Sequence, residues 1–395
     1  MYPDLSYFFH DVFGTPPDNW TSVFKTFGLF LVLAILASAY LLYKELERKA
    51  QAGLFVPQQV QVEENKPVTS LELLSNVVFG FVLGFKLLYI ANNFVEFQLN
   101  PAAVVFSGYG SWAGGIAGAL LFAGFRWWES WRQRHKPHHI YLKDTYPHHL
   151  IGDITIIAAV AGVAGAKLFD VLEHWSEFLK NPVAVLLSGS GLAIYGGLIL
   201  GFVAVAFYLW RKQIPIIHVM DAAAPALIIG YGIGRLGCQF SGDGDWGIVA
   251  AVQPEWWWLP DWLWGYDYPH HVLNTSRTDP VLSIPIEGCD WAYCMRLSQL
   301  VYPTPVYETF LAFVIGGVLW VMRRPLQFIP GILFFIYLIF NGIERFFIEK
   351  IRVNIRYSNF GIEYTQAELV SVILIFIGIT GAVFLWRKAR RAPSD

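Results

Sequence analysis

Apolar residues gather into nine blocks along the chain, at roughly residues 23–43, 71–93, 102–125, 150–172, 191–210, 222–236, 301–322, 328–348 and 367–386. Most approach the roughly 20 residues that a helix needs to cross a bilayer core about 30 Å thick. The pattern predicts an all-α, polytopic transmembrane helical bundle of about nine spans. The sixth block, DAAAPALIIGYGIGRLG, is short and rich in Gly and Pro. It predicts a broken, tilted or re-entrant helix, packed within protein or beside a polar cavity. No internal symmetry is evident between the blocks.

The connections carry the orientation. Lys44, Arg48 and Lys49 follow the first block, and Arg126, Arg132, Arg134, Lys136 and Lys143 follow the third. Arg211 and Lys212, Arg323 and Arg324, and Arg387, Lys388, Arg390 and Arg391 follow the fifth, seventh and ninth. Every second connection is therefore basic, which places the N-terminus outside and the C-terminus in the cytoplasm. The opposite set is acidic: residues 1–22 hold Asp4, Asp11 and Asp18 without Lys or Arg, and 237–300 hold Arg277 and Arg296 among a majority of acids. Lys350, Arg352 and Arg356 break the rule on the outer side. The outer segment also holds the run PEWWWLPDWLWGYDYPHH, whose indoles suit the headgroup region or the filling of a packed loop.

Composition agrees: 55% of residues are hydrophobic and 15% charged, against about 25% charged in soluble proteins. The polar start and the spanning length of the first block argue against a cleavable signal peptide. Cys238, Cys289 and Cys294 are too few for a disulfide scaffold and fit no zinc spacing; Cys289 and Cys294 are either bridged or free. Nothing points to nucleic acid.

Ionisable residues within spans are costly and become the functional candidates. Arg235, Glu308, Glu344, Arg345 and Glu349 fall near the outer ends of three separate blocks, and Arg345 and Glu349, four apart, share a helix face. A guanidinium at that depth can grip a lipid phosphate with its planar donor fork. The alternative is that each arginine only locks helices, Arg345 with Glu349 or Glu308. Around Arg235 the run GYGIGRLGCQFSGDGDWG is glycine-dense, which permits turns and exposed amides but lacks the context of a nucleotide fingerprint. Its Asp243 and Asp245 could position a substrate, bind a metal or cap turns. A second glycine-rich run, SGSGLAIYGGLILG at 188–201, suits tight helix packing and carries Tyr195, while Lys167 and Asp170 lie late in the fourth block. His148 and His149 fall inside, and His270 and His271 read as surface groups of the outer loop.

Several runs, in order, resemble the prolipoprotein diacylglyceryl transferase family: GAKLFDVLEHW at 165–175, residues 191–201, GRLGCQFSGDGDWG at 234–247, YPTPVYE at 302–308, NGIERFFIEKIR at 341–352 and YTQAE at 364–368. The resemblance covers roughly 150–386. It implies a family-like core over 150–395, including the outer loop 237–300, and an N-terminal region 1–149 with added helices. It implies that Arg235 and Arg345 match the family's essential arginines, with Glu308, Glu349 and Tyr195 beside them as catalytic candidates. Lys167, Gly196, Gly197, Cys238, Asp243 and Gly247 fall on substrate-binding motif positions. Cys238 replaces an asparagine, Tyr195 a histidine, Lys167 an arginine and Asp243 a glutamate, with one residue inserted around Gly244–Asp245.

The implied reaction moves a diacylglyceryl group from phosphatidylglycerol to the lipobox cysteine of a prolipoprotein signal peptide, with no metal or organic cofactor. Its setting is the lipid of a bacterial inner membrane, with the active face toward the periplasm. Two other classes fit the bare residues: a membrane transporter with an outer-facing anionic site, which would show inverted repeats, and a non-catalytic scaffold.

Overall fold

The computed structural model describes residues 1–64, 69–99, 101–133, 139–187, 193–278, 281–359 and 362–391. Helices dominate, in the order α1 (Leu5–Phe13), α2 (Thr26–Gln51), β1 (Gln58–Glu64), α3 (Ser70–Asn92), α4 (Phe94–Leu99), α5 (Pro101–Phe106), α6 (Trp112–Gln133), β2 (His139–Thr145), α7 (Ile151–Glu173), α8 (Trp175–Lys180), α9 (Pro182–Leu187), α10 (Ile194–Arg211) and α11 (Ile216–Ser241). Then follow β3 (Arg277–Thr278), β4 (Val281–Pro285), β5 (Met295–Leu297), α12 (Thr304–Met322), α13 (Ile332–Glu349), β6 (Arg356–Asn359), β7 (Ile362–Thr365) and α14 (Gln366–Arg391). Each apolar block contains helix among its described residues, the third being split between α5 and α6. Among the described residues six helices are long and apolar enough to cross a membrane: α2, α3, α7 with its preceding turn, α11, α12 and α14. Large apolar side chains such as Leu31, Val32 and Leu36 of α2 are exposed, as helices facing acyl chains require.

The sixth block is not broken: α11 runs unbroken through Pro225 for 26 residues. Its glycines serve close packing. A side chain at Gly230 would strike Ser38 of α2, and one at Gly232 would press on Ala312 of α12. Ser38 Oγ and Thr309 Oγ1 donate hydrogen bonds to the carbonyls of Ala226 and Gly232, which fastens the three helices polar-to-backbone.

The chain divides into two compact units, Met1–Phe55 with Leu209–Asp395, and Val56–Tyr208. In the first, Ile228, Ala312, Leu319 and Leu333 form the apolar centre of α11, α12 and α13. Below it, Asp221 of α11 accepts hydrogen bonds from Gly331 N (2.7 Å) and Phe334 N (3.1 Å), capping the start of α13, and Lys49 of α2 balances its charge at 3.7 Å. The loop between α11 and α12 folds on Trp246, Tyr268, Val281, Leu297 and Val301 and is closed by a Cys289–Cys294 disulfide. His271 is not a surface group: it is fully buried, edge-on to Trp246 and 3.1 Å from Ser283 Oγ. Trp256 and Trp258 remain exposed on the loop.

The second unit holds a duplication that the block pattern conceals. Its elements run strand, long helix, two short helices, long helix, and then repeat that order: β1-α3-α4-α5-α6 and β2-α7-α8-α9-α10. At a constant offset of 81 residues, Gly84, Lys86, Glu96, Pro101, Val104 and Gly110 recur as Gly165, Lys167, Glu177, Pro182, Val185 and Gly191. The two strands pair antiparallel, Gln58 opposite Thr145. In each copy glycines bring the long helices together, Gly84 against Gly114 and Gly165 against Gly196. Two long helices per copy return the chain to its starting side, so the copies run in the same sense. That is not the inverted pairing a transporter of the expected kind would show.

A methyl group at Gly165 would sit well inside van der Waals contact with the Gly196 carbonyl, whereas one at Gly152 of the same helix would meet nothing within 4 Å. Gly165→Ala is expected to destabilise the hairpin by about 1–3 kcal/mol through overpacking, and Gly152→Ala to leave stability unchanged or slightly raised. Thermal melts in detergent check both.

Candidate active site

Glu308 sits in the first turns of α12 with no solvent exposure. A carboxylate so placed must be paired, and here three guanidiniums reach it. Arg235, in the last turns of α11, meets Glu308 Oε2 through Nε. Arg352, just beyond α13, donates from Nη1 to Glu308 Oε1 at 3.1 Å, and Arg345 of α13 approaches the same oxygen at 3.6 Å. Arg345 also meets Glu349 Oε2 at 3.1 Å, one helical turn away, and Asn354 donates to the other Glu349 oxygen at 2.6 Å. The sequence expectation that Arg235, Glu308, Arg345 and Glu349 converge is met in the geometry.

A second carboxylate closes the network from the loop side. Asp245 receives Arg235 Nη1 on one oxygen and Arg352 Nη2, at 2.8 Å, on the other. Its own carbonyl accepts from Thr304 Oγ1 at 2.8 Å, tying the loop to the start of α12. Gly247 explains how Arg352 arrives: the backbones of Gly247 and Arg352 form an isolated antiparallel bridge, and a side chain at Gly247 would collide with the Ile351 carbonyl. Gly247 therefore fixes a backbone approach.

Asp243, the expected match to the signature acid, takes a different position. It accepts from Asp245 N at 3.2 Å and lies against the buried thiol of Cys238, which in turn is 3.5 Å from Arg235 Nη1. Burial, helped by the neighbouring Asp245 charge, raises the Asp243 pKa. Burial also works against ionised Asp245, yet Arg235 and Arg352 outweigh it and bring its pKa to about 2. One turn thus holds two carboxyls with divided proton affinities. Cys238, Asp243 and Asp245 offer donor atoms within 4.8 Å of one another, but a cation there would have to displace two guanidiniums from Asp245, so the set does not suit a metal.

The remaining predicted residues belong to the second unit and gather on the α7–α10 pair. Lys167 pairs with Asp170 at 3.1 Å, Tyr195 lies in the first turn of α10, and Gly196 and Gly197 face α7, where Gly196 meets Gly165 and Phe169, and Gly197 meets Gly162. The first part of that glycine-rich run, 188–192, lies outside the described residues. Both glycines thus take part in helix packing.

Sequence reasoning left Asp245 with three open roles and did not place Arg352 at the site. The signal for Arg352 was present, since it belongs to the basic cluster that breaks the charge rule. Its partners are 107 and 44 positions away, beyond any local spacing argument.

With its pKa held below the ordinary 3.8, Asp245 contributes stability in full above that value and loses it as pH falls through about 2. The stability gap between the native chain and Asp245→Asn is expected to be constant from neutral pH to about pH 5, to shrink as pH falls from there, and to close only below about pH 2, read from unfolding midpoints in detergent.

Comparisons with known proteins point to one family. Residues 127–384 match the family described as prolipoprotein diacylglyceryl transferase. The chain is 28% identical over 254 residues to the phosphatidylglycerol–prolipoprotein diacylglyceryl transferase of Lysinibacillus sphaericus, covering 64% of this chain and 82% of that one. The protein of that name from Staphylococcus carnosus is 28% identical over 300 residues, with 76% and 92% covered, and that from Corynebacterium diphtheriae 29% over 250 residues, with 62% and 81% covered. The match opens near the end of α6, so it takes in the second helical copy with its Lys167 and Tyr195 and leaves most of the first outside. With well over half its length matched, the chain belongs to the prolipoprotein diacylglyceryl transferase family.

Proposed function

We infer that this multi-pass membrane protein transfers a diacylglyceryl group from phosphatidylglycerol to a cysteine thiol of prolipoproteins, forming a thioether and releasing glycerol phosphate. The observation that carries the reading is the gathering of Arg235, Arg345 and Arg352, from separate segments, around one buried carboxylate in a chain of this family.

In this reaction the thiol sulfur attacks the glyceryl carbon that bears the phosphodiester. Thiol ionisation is a modest demand, since an unperturbed thiol has a pKa of about 8.5. The larger demand is the second negative charge that grows on the departing phosphate, and preorganised guanidiniums meet it. Arg345 is the arm best placed to take the phosphate. It is 27% exposed, and its contact with Glu308 is looser than that of Arg352. Asp245, 36% exposed, is the carboxylate that a phosphate oxyanion would displace from Arg235. Arg235 and Arg345 would then hold the phosphate together while Glu308 keeps both oriented. Asp243 and Cys238 take supporting parts in substrate binding on this reading.

The acceptor is the lipobox cysteine of a signal peptide, presented in the outer leaflet of the inner membrane. Support comes from the charge rule, which puts the site-bearing loop outside, and from the Cys289–Cys294 disulfide of that loop, which suits an oxidising periplasm. The exposed Trp256 and Trp258 suit headgroup depth in the surrounding lipid.

In an assay with phosphatidylglycerol and a lipobox peptide, Arg235→Ala and Arg345→Ala are each expected to lose transfer by at least about 100-fold while remaining folded. Full rates in either folded variant would remove that residue from the mechanism. The acceptor thiol belongs to the substrate, so Cys238→Ser is expected to keep most of the activity; complete loss in a folded protein would point to a covalent intermediate on Cys238.

A further inference from the structure

The transfer needs an acceptor for the thiol proton, and most carboxylates of the site are occupied. Glu308 is held by three arginines. Asp245 carries two, and Glu349 is held by Arg345 and Asn354. Each would have to give up a donor before it could take a proton. Asp243 is engaged with the Asp245 amide and the Cys238 thiol.

Glu344 is the exception. It precedes Arg345 on α13 and is only 4% exposed, yet neither of its oxygens has a hydrogen-bond or ionic partner among the described residues. It lies within the field of the same network. The charges it senses are Glu308 of α12, Arg235 of α11, and Arg345 and Arg352, while the phenols of Tyr231 on α11 and Tyr337 on its own helix sense it in turn. From α14, the neighbours of α13 at Gly342 are Ser371 and Ile375, neither ionisable. The charges of Arg235, Arg345 and Arg352 match those of Asp245, Glu308 and Glu349, which leaves Asp243 and Glu344 without a cation; Asp243 has the Asp245 amide and the Cys238 thiol, whereas Glu344 has no hydrogen-bond partner among the described residues. A buried carboxyl with no donor of its own has no fixed helix-locking partner and gains by taking up a proton.

We propose that Glu344 accepts the proton of the attacking thiol. The proposal rests on the transferase reading. The sulfur–carbon bond forms as the carbon–oxygen bond to phosphate breaks, and the bonding pair leaves on the phosphate oxygen. The thiol proton passes to the Glu344 carboxylate. The carboxyl then returns it to the departing phosphate dianion, so glycerol phosphate leaves as the monoanion and the site is reset without a further reactant. One carboxyl serves both ends of the displacement.

The test uses the full-length protein in detergent or vesicles containing phosphatidylglycerol, with two lipobox peptides that differ only in cysteine or selenocysteine. A selenol is ionised at neutral pH and needs no base. Glu344→Gln keeps the size and polarity of the side chain, and is expected to fold, to melt within a few degrees of the native protein and to keep its KM for lipid. Its kcat on the cysteine peptide is expected to fall about 100-fold. The selenocysteine peptide should recover most of that loss. Its rate on cysteine should keep rising with pH toward the thiol's own pKa of about 8.5. Full activity of Glu344→Gln on cysteine, or an equal loss on both peptides, overturns the proposal. If that variant does not fold, Glu344→Asp retains a carboxyl on a shorter arm. It should show a smaller loss with the same selenocysteine recovery, and an equal loss on both peptides again overturns the assignment. Transfer by the native protein in the same assay separates the two readings: native activity with an unaffected variant removes Glu344 alone, and no native activity removes the transferase reading with it.

Discussion

A single carboxylate without solvent contact organises the functional end of the molecule. Glu308 has no water to stabilise its charge, and its location on α12 means that the stabilisation must come from other segments. Arg235 supplies it from α11, Arg345 from α13 and Arg352 from the chain beyond α13. Removing Arg235 or Arg352, the two more buried guanidiniums, would leave buried charge uncompensated, at a cost of up to about 3–5 kcal/mol. The helices are thereby held at one relative depth, and the guanidiniums are oriented before any substrate arrives. Orientation settled during folding is what makes such groups effective against charge that develops only in the transition state.

The surrounding fold serves that constraint. Gly232 lets α12 approach α11, and Gly247 lets the Arg352 backbone pair with the loop. At the other end of the same helices, Asp221 caps α13 and is balanced by Lys49. The unit is thus fastened by polar contacts at both ends of an apolar centre. That arrangement compensates for the weak hydrophobic drive between helices in lipid.

Much of this was legible in the sequence, because a membrane imposes strong rules. Block length gave the helices, and the cost of charge in lipid singled out Arg235, Glu308, Arg345 and Glu349. What escaped depended on contacts remote in sequence or on packing. Arg352 lies past the end of its helix and reaches the site through a backbone bridge. Asp245, two residues beyond the signature match, carries the arginines because the loop turns it toward them. The glycines and Pro225 of α11 looked like a break, but small residues inside lipid-embedded bundles bring neighbours close without ending the helix. The duplicated hairpin was hidden because the positions shared by the two copies are few and scattered, Gly84, Lys86 and Glu96 with Gly165, Lys167 and Glu177 among them. Glu344 was visible as a costly charge, but only three-dimensional packing reveals that its neighbours are paired and it is not.

The central claim is that Arg235 and Arg345 hold one lipid phosphate between them. An experimentally determined structure with phosphatidylglycerol bound tests it most directly. The phosphate oxygens are expected within hydrogen-bonding reach, about 3 Å, of both guanidiniums, with Glu308 still beneath them. A phosphate held by only one of the two arginines, or bound elsewhere while the arginines keep their carboxylates, would contradict it.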